Sequence, residues 1–198
     1  MLLQAPHGLV TGNQVRWNTM ANVIIEQNNY YTGPGSYVGE GPGASDLIFE
    51  NNDISKSYGP FAGVDGMGAV IVTSGVIGSY AGPGSYFPLM AESGAIQNVL
   101  IKDNVVENVG GPGFFIGSAK NVTLKDNSVI NSNLMPFDMD SENNYNFYGN
   151  ADFRAAIIVS HSYGVDIINT SLSGSTTGGL SVDTTTVGAV SAGNLAPR

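Results

Sequence analysis

The chain of 198 residues contains 27 glycines, nine prolines and no cysteine, and only 12% of its residues are charged. The length supports one domain with a sizeable core, the composition favours strands and turns over exposed helices, and the lack of cysteine excludes disulfides and thiolate metal sites. The net charge of -9 has the wrong sign for a phosphate backbone, so nucleic acid is not an expected partner.

The sequence contains no run of about 18 apolar residues, so no membrane-spanning helix is predicted. Its first residues, MLLQAPHGLVTG, lack the basic and apolar regions of a signal peptide. The acidic composition, poor in lysine and rich in glycine, asparagine, serine and threonine, is typical of extracellular and cell-surface proteins. We therefore expect an extracellular or cell-surface location, with a leader that lies outside this chain.

A short phrase occurs twice in the middle of the chain, as NVLIKDNVV at 98–106 and as NVTLKDNSV at 121–129. In both phrases, apolar residues stand at the first valine and at two and seven positions after it. Six stretches of the chain share this spacing, and their first apolar residues are Val23, Leu47, Ala69, Val99, Val122 and Val165. A step of two is the period of a strand, and the step to seven must cross a turn. The predicted turn residues are mostly asparagines, whose side chains can stack between copies: Asn28, Asn52, Ser74, Asn104, Asn127 and Thr170.

Four of the five steps between these copies are about 22 to 30 residues long, which is the length of one coil of a solenoid. With further apolar runs between the copies, each coil has about three strands, so the pattern predicts an all-β parallel β-helix of about seven coils. We expect a single domain over 1–198, in which 1–14 is a leader or partial first coil, 131–153 an insertion loop and 188–198 a C-terminal tail. A β-sandwich also has short strands, but it does not explain the repeated phrase.

The phrases NVLIKDNVVENV, NVTLKDNSVINS and DLIFENNDIS resemble the repeats of right-handed parallel β-helix proteins of the pectin-lyase-like superfamily. The resemblance covers residues 15–187. That superfamily includes polysaccharide lyases, glycoside hydrolases, epimerases, phage tailspikes and adhesins, so the resemblance implies an extracellular role connected with carbohydrate. It concerns the repeated scaffold and does not assign an activity by itself.

Two insertions in the repeat share the motif GPGSY, at 33–37 and at 82–86. Gly-Pro-Gly turns the chain sharply and holds the tyrosine that follows on a rigid base. Tyr37 and Tyr86 are therefore predicted to lie on one side of the cylinder as platforms for sugar rings. The alternative is that each tyrosine covers the coil beneath it.

The third insertion, 131–153, accounts for the longest step between copies and concentrates carboxylates and aromatic rings, the groups that a polysaccharide cleft needs. The predicted catalytic carboxylates are Asp138, Asp140 and Glu142, and the predicted sugar-stacking residues are Tyr145 and Tyr148. Alternating acids are also typical of a Ca²⁺ loop, so Ca²⁺ is a candidate cofactor, but the rest of the EF-hand pattern is absent and no metal ligand is assigned. A solvated acidic loop is the third interpretation.

His161 follows an apolar strand and is predicted to face outward beside Arg154, where an imidazole can transfer protons near neutral pH. The alternative is a structural histidine. The charges of the repeat, with Lys102 and Lys125 stacked beside Asp103 and Asp126, indicate a solvated ladder of ion pairs rather than a site.

The sequence favours an extracellular polysaccharide-active protein, a glycoside hydrolase or a fragment of one, with a polysaccharide or glycan as its partner. A hydrolase needs two carboxylates about 5 to 10 Å apart, and the chain has sixteen acidic residues but only seven basic ones for a lyase. The alternatives are a non-catalytic carbohydrate-binding or structural module of a cell-surface or phage protein, and a polysaccharide lyase. Because end coils expose unpaired strand edges, we expect a second copy or the remainder of a longer chain to cover them.

Overall fold

The structure, a computed structural model, describes residues 1–17, 22–33, 36–39, 44–57, 68–80, 86–90, 96–134, 155–174, 178–183 and 186–193. For 27–33, 36–39, 73–80, 86–90 and 188–193 it describes the backbone only. Within these ranges the chain forms strands and turns and contains no helix, which confirms the all-β prediction.

The chain winds through successive coils, and each complete coil has one strand in each of three sheets, here named A, B and C. The first two coils contain β1 (Leu2–Leu3), β2 (Pro6–Thr11), β3 (Gln14–Arg16), β4 (Val23–Gly33), β5 (Ser36–Gly39), β6 (Ser45–Glu50) and β7 (Asp53–Ser55). The third and fourth contain β8 (Val70–Tyr80), β9 (Tyr86–Met90), β10 (Ile96–Lys102), β11 (Val105–Glu107), β12 (Phe114–Gly117), β13 (Ala119–Lys125) and β14 (Ser128–Ile130). The last two contain β15 (Ile157–Ser160), β16 (Tyr163–Ile168), β17 (Ser171–Ser173), β18 (Leu180–Val182) and β19 (Val187–Gly193).

Strands of neighbouring coils pair in parallel in all three sheets. Sheet A has the order β1-β4-β8-β12-β15-β18, sheet B the order β2-β6-β10-β13-β16-β19, and sheet C the order β3-β7-β11-β14-β17. A chain that visits three sheets in the same order in every coil, and pairs in parallel with the coil before it, is a parallel β-helix. The predicted fold class is therefore confirmed. Two further strands, β5 and β9, are antiparallel additions to β4 and β8.

Coil length varies more than the repeat suggests. Asn13, Asn52, Asn104 and Asn127 hold equivalent places in successive coils, and the steps between them are 39, 52 and 23 residues. The next step, measured from Ser128 to Ser171, is 43 residues. The described residues form five coils of three strands and a sixth of two, compared with the seven coils predicted. The segment expected as leader or partial coil contains β1 and β2, and the segment expected as a tail overlaps β19.

Two of the six copies predicted from the sequence belong to a different sheet from the others. The copies at Val23 and Ala69 are parts of sheet A, where Val23 pairs with Val70, whereas Leu47 and Val99 pair in sheet B. The strands of both sheets alternate small aliphatic residues in the same way, so a period of two does not distinguish them. The long insertions also hide the true coil length. Because of them, the sheet A strand and the sheet B strand of one coil are separated in sequence by about the distance expected between two successive coils.

The interior of the cylinder is filled by apolar side chains from alternate positions of all three sheets. Stacked rows include Leu47, Val99, Val122 and Val165 from sheet B, Ile54, Val106, Val129 and Leu172 from sheet C, and Val70, Phe114 and Ile157 from sheet A. Each such side chain contributes about 1.5 to 3 kcal/mol when it is buried. The rows also fix the register, because a slip of one residue would turn the whole set outward.

Single residues with left-handed backbone turn the chain from one sheet to the next. We name the three turns the A–B, B–C and C–A corners. The left-handed residues are Ser118 and His161 at the A–B corner, Gly12, Asn51, Asp103, Asp126 and Asn169 at the B–C corner, and Trp17, Lys56, Asn108, Asn131 and Gly174 at the C–A corner. Asparagine, aspartate and glycine adopt this conformation most readily. In the repeated Lys-Asp-Asn phrase, the aspartate therefore makes the turn.

In the first four coils, the asparagine that follows the left-handed residue of the B–C corner belongs to a hydrogen-bonded ladder, which is buried from Asn52 to Asn127. Both the backbone N–H and the side-chain Nδ2 of Asn13 donate to Oδ1 of Asn52 at 2.9 Å. Asn52 donates in the same way to Asn104 at 2.9 Å, and Asn104 to Asn127 at 3.1 and 3.0 Å. The stacking of asparagines predicted from the repeat is confirmed for Asn52, Asn104 and Asn127, and Asn13 extends the ladder by one coil that the repeat did not predict.

The turn prediction is wrong for the copies in sheet A. Asn28 and Ser74 lie inside the continuous strands β4 and β8, where they pair with Gly75 and Gln27. The reason is the sheet assignment: β4 and β8 belong to sheet A and continue past these positions into the hairpins, so the chain does not turn there towards sheet C.

The strands β4 and β8 are each 11 residues long and continue beyond the coil. They pair in parallel from Val23 and Val70 to Tyr30 and Ile77. Since β5 folds back on β4 and β9 on β8, the four strands form an extension with the order β5-β4-β8-β9. In sequence, the two GPGSY motifs lie where β4 is followed by β5 and where β8 is followed by β9.

Candidate functional site

The insertions of this β-helix adjoin sheet A at the two ends of its strands, which we call the edges of sheet A. The two hairpins leave from the A–B side, where β4 and β8 end, and the connections that include 58–67 and 135–154 lead back from sheet C to β8 and β15. The connections from sheet B to sheet C, in contrast, are two residues long in all five complete coils. Sheet A and its edges are therefore the place to look for a site.

The outer face of sheet A is apolar and withdrawn from solvent. Ile71, Phe115 and Ile158 pair in register and are 0% exposed. They alternate along their strands with core residues such as Val70 and Phe114, so they face away from the cylinder. This face is packed rather than solvated.

His161 lies at the A–B corner of the fifth coil, between β15 and β16. Its backbone is left-handed, with φ of 48°, like that of Ser118 at the same corner of the coil before, with φ of 53°. The side chain of His161 is 29% exposed. The imidazole is thus half-buried at an edge of sheet A.

A buried hydroxyl connects this imidazole to a buried carboxylate. The Oγ atom of Ser160 is 2.8 Å from Nδ1 of His161 and donates a hydrogen bond to Oδ2 of Asp183 at 2.6 Å. The direct distance from Nδ1 of His161 to Oδ2 of Asp183 is 3.4 Å. Ser160 is 0% and Asp183 is 4% exposed, so the contacts on this side of the ring lie inside the protein.

Asp183 belongs to the sixth coil and lies above Ser160 because β15 and β18 pair in register, with Val159 opposite Val182. Its other oxygen, Oδ1, accepts hydrogen bonds from the backbone N–H of His161 at 3.3 Å and from the N–H and Oγ1 of Thr186 at 3.0 and 2.8 Å. A buried carboxylate is costly unless donors surround it. Here donors reach both oxygens, so the sequence stabilises a charged group at this corner.

The arrangement suits proton transfer better than nucleophilic attack. A partly exposed imidazole with a carboxylate fixed beside it is a common arrangement in general acid–base catalysis. Ser160 is a poor nucleophile candidate because its hydroxyl is fully buried and its proton points to Asp183.

The other predicted site residues are not brought into this cluster by any described contact. Six of them lie outside the described residues: Asp138, Asp140, Glu142, Tyr145, Tyr148 and Arg154. For Tyr37 and Tyr86 the backbone alone is described, and they pair with Tyr31 and Tyr80 in equivalent hairpins. The roles of all these residues, and of His161, stay predictions.

The sequence contains a signal for Asp183 that is hidden by the sheet assignment. Ser160 and Asp183 are 23 residues apart, which is the same step as between Asn98 and Asn121. Aligning the apolar run before Ser160 with Leu180–Val182 places the acid above the serine. Without the division into sheets A and B, this last coil looks like a distorted copy of the repeat.

Trp17, the only tryptophan of the chain, is a second surface feature that the sequence pattern does not single out. It is 66% exposed at the C–A corner, with φ of 64°. The Nζ atom of Lys56, from the next coil, lies 4.0 Å from the centroid of its ring. An exposed indole held by a cation is a rigid, amphipathic surface of the kind that packs against sugar rings.

The charged row on sheet B consists of ion pairs. The Nζ atom of Lys102 lies 2.8 Å from Glu50 and 3.8 Å from Asp103. The hydrogen bond and the charge of Glu50 raise the pKa of Lys102 above its ordinary value of 10.5. These contacts agree with the predicted ladder and leave Lys102 protonated at neutral pH.

Among the residues that the structure describes, no group of three or more histidine or acidic side chains is arranged to hold a metal ion. The same part of the chain contains no helix that is long and apolar enough to cross a membrane. No protein-family model matches the sequence, and no curated protein matches it.

Proposed function

We propose that this protein is an extracellular, polysaccharide-active β-helix protein with the right-handed coil of the pectin-lyase-like superfamily, and that it acts as a glycoside hydrolase or as part of one. The observation that carries the proposal is the position of the insertions at both edges of sheet A. A polysaccharide is a long, repeating ligand, and coils stacked at about 4.8 Å offer a long surface on which it can lie.

In this proposal the acids of insertion 131–153 cleave the glycosidic bond. Asp138, Asp140 and Glu142 supply the general acid and the base or nucleophile, whose carboxyl groups must stand about 5 to 10 Å apart. His161, with its buried partners, assists proton transfer, and Arg154, which the sequence predicts beside it, holds negative charge. Ca²⁺ binding by the same acids is the rival role for this insertion.

Aromatic platforms support the proposal at three places. The hairpins place Tyr37 and Tyr86 in one four-stranded extension, and insertion 131–153 adds Tyr145 and Tyr148. Trp17 is an exposed ring with described surroundings. Ring-to-ring packing is tolerant of sugar identity, so these residues favour binding to a polysaccharide without naming it.

The test is a screen of polysaccharides for new reducing ends, with and without Ca²⁺. The triple variant Asp138→Asn, Asp140→Asn, Glu142→Gln is expected to lose at least 100-fold in cleavage while it still binds the polymer. Glu107→Gln, on sheet C, serves as the control that keeps activity. Unchanged cleavage by the triple variant would remove the catalytic role from the insertion.

A non-catalytic glycan-binding or structural module is the second candidate, favoured by the exposed, cation-backed Trp17. Because this is the only tryptophan, its fluorescence reports binding directly. A saturable change on titration with a polysaccharide, without new reducing ends, identifies a binding module. Cleavage that produces an unsaturated, ultraviolet-absorbing sugar identifies a lyase instead.

A further inference from the structure

The parallel pairing of the cylinder stops at its first and sixth coils. Among the described residues, β1, β2 and β3 pair only with strands of the second coil. At the other end, β18 and β19 pair only with strands of the fifth coil. These are therefore edge strands, and an edge strand is a template on which a further strand can add through its backbone groups.

The apolar interior is open at both of these ends. Leu3, Val10 and Val15, one from each sheet, are partly buried and pack against the core as its first layer. In the sixth coil Val182 is 42% exposed, although it lies in register with Val159, a core residue that is 0% exposed. Both end layers thus have core neighbours on one side only, and a coil stacked on either end would bury them.

The asparagine ladder ends at the first coil with an open acceptor. The Oδ1 atoms of Asn52, Asn104 and Asn127 each accept a backbone N–H and a side-chain amide from the coil before. Among the described residues, no donor reaches Oδ1 of Asn13, whose own amide donates to Asn52 and to the carbonyl of Thr11. Because one bond of each ladder step comes from a backbone N–H, any residue other than proline can supply it. A coil placed before the first one can therefore donate to Asn13.

Charged side chains are scarce at both ends. Residues 1–17 contain one, Arg16, and residues 178–193 contain one, Asp183, whereas the whole chain has seven basic and sixteen acidic residues. Strand edges that stay unpaired commonly carry lysines or inward-pointing charges, and β1, β2, β18 and β19 have neither. The ends therefore resemble the core of a protein interface, where charged residues are depleted.

The two ends also complement each other. Strands of neighbouring coils pair in parallel, so the strands of the first and sixth coils run in the same direction. A second copy shifted along the cylinder axis places its β1 on β18 and its β2 on β19 in the same parallel arrangement. Sheets A and B thus continue from one copy to the next, while the sixth coil has no described strand in sheet C.

We propose that the two ends are the two halves of an interface between copies of this chain, docked head to tail, with the first coil of one copy stacked on the sixth coil of another. Such a contact is heterologous, and each added copy leaves one end of either kind exposed. The product is therefore a filament rather than a closed dimer. The proposal is independent of any activity on polysaccharide.

A single lysine at either end tests the proposal. Val10→Lys and Val182→Lys each put a lysine on an inward-facing position of an end layer, where its ammonium group reaches water only while that end is uncovered. Val105→Lys, in the fourth coil on the outer face of sheet C, is the matched control at a residue that is 39% exposed. Sedimentation velocity over a range of protein concentrations measures assembly, and circular dichroism checks that each variant folds. If Val10→Lys does not fold, Leu2→Lys, at an exposed position of β1, replaces it.

The wild type and Val105→Lys are expected to form oligomers that grow beyond dimers as the concentration rises, and each end variant alone is expected to stay monomeric. An equimolar mixture of Val10→Lys and Val182→Lys should form dimers and nothing larger, because the intact sixth coil of the first docks on the intact first coil of the second. Dimers of either end variant alone would show that like ends pair, and would overturn the head-to-tail contact. A wild type that is monomeric at every concentration, or a control that loses assembly as the end variants do, would overturn the interface.

Discussion

The B–C corner and the A–B corner of the same coils differ in almost every respect. At the B–C corner each complete coil turns in two residues. The first has left-handed backbone, and the second is an asparagine of the ladder or, in the fifth coil, Thr170. At the A–B corner the second and third coils carry hairpins, the fourth turns in one residue at Ser118, and the fifth contains His161. One corner repeats and the other varies.

The cost of unsatisfied buried groups accounts for the difference. At the B–C corner the side-chain amide of each ladder asparagine forms hydrogen bonds with a neighbouring coil. Replacing one asparagine therefore leaves buried donors and acceptors of another coil without partners. At the A–B corner, insertions extend outward and do not interrupt a shared ladder. The repeated corner therefore holds the scaffold, and the varied corner is where chemistry can be added.

The sharpest way to break the repeated corner is Asn104→Ala. Asn104 accepts two bonds from Asn52 and donates to the carbonyls of Phe49 and Lys102. Losing these leaves several buried groups without partners, at about 1 to 3 kcal/mol each, so we expect a loss of about 4 kcal/mol in unfolding free energy. Urea unfolding measures it. A loss under about 1 kcal/mol would mean that the ladder does not hold the coils.

The A–B corner of the fifth coil has its own buried hydrogen-bond network around the Asp183 carboxylate, which Asp183→Ala removes. The change leaves the donors of Ser160 and Thr186 without their shared acceptor and opens a small cavity. We expect a loss of about 3 kcal/mol in the same urea assay, smaller than for Asn104 because the network serves one corner only. A loss equal to or larger than that of Asn104→Ala would reverse the ranking of the two corners.

An outer asparagine tests whether burial matters more than residue type. Asn98 donates to Asp46 at 2.8 Å and accepts from Asn121 at 3.1 Å, but both contacts are exposed to solvent. For Asn98→Ala we expect a loss of about 1 kcal/mol, mainly from placing alanine at a φ of 56°. Melting temperatures of Asn98→Ala and Asn104→Ala, compared side by side, should differ clearly; equal shifts would contradict the account.

The smallest effect is expected from the exposed ion pair of Lys102. Because its pKa is raised above 10.5 by Glu50, its contribution to stability is complete below pH 10.5 and is lost as the pH rises through the raised value. Lys102→Met should therefore show a small, constant deficit from pH 7 to 10 in urea unfolding. The deficit should shrink above pH 10.5. A deficit that already changes between pH 7 and 9 would contradict this assignment.

The sequence was sufficient for the scaffold because the buried ladder and the rows repeat in it. Asn52, Asn104 and Asn127 occur at a fixed place in each copy, and the structure joins them as predicted. The division into sheets A and B was not readable, since Val23 and Leu47 lie in equally alternating strands. The partners of His161 depend on pairing across coils, which a single stretch of sequence does not show.

Hydrogen exchange of backbone amides, with and without the polysaccharide that gives the strongest response in the screen, tests the central claim most directly. We predict that amides of the B–C corner, including Asn52 and Asn104, are among the best protected and do not change on binding. New protection should appear at the edges of sheet A, near the hairpins and His161. Protection confined to sheets B and C, or no change with any polysaccharide, would contradict the claim that the varied edges of sheet A carry the function.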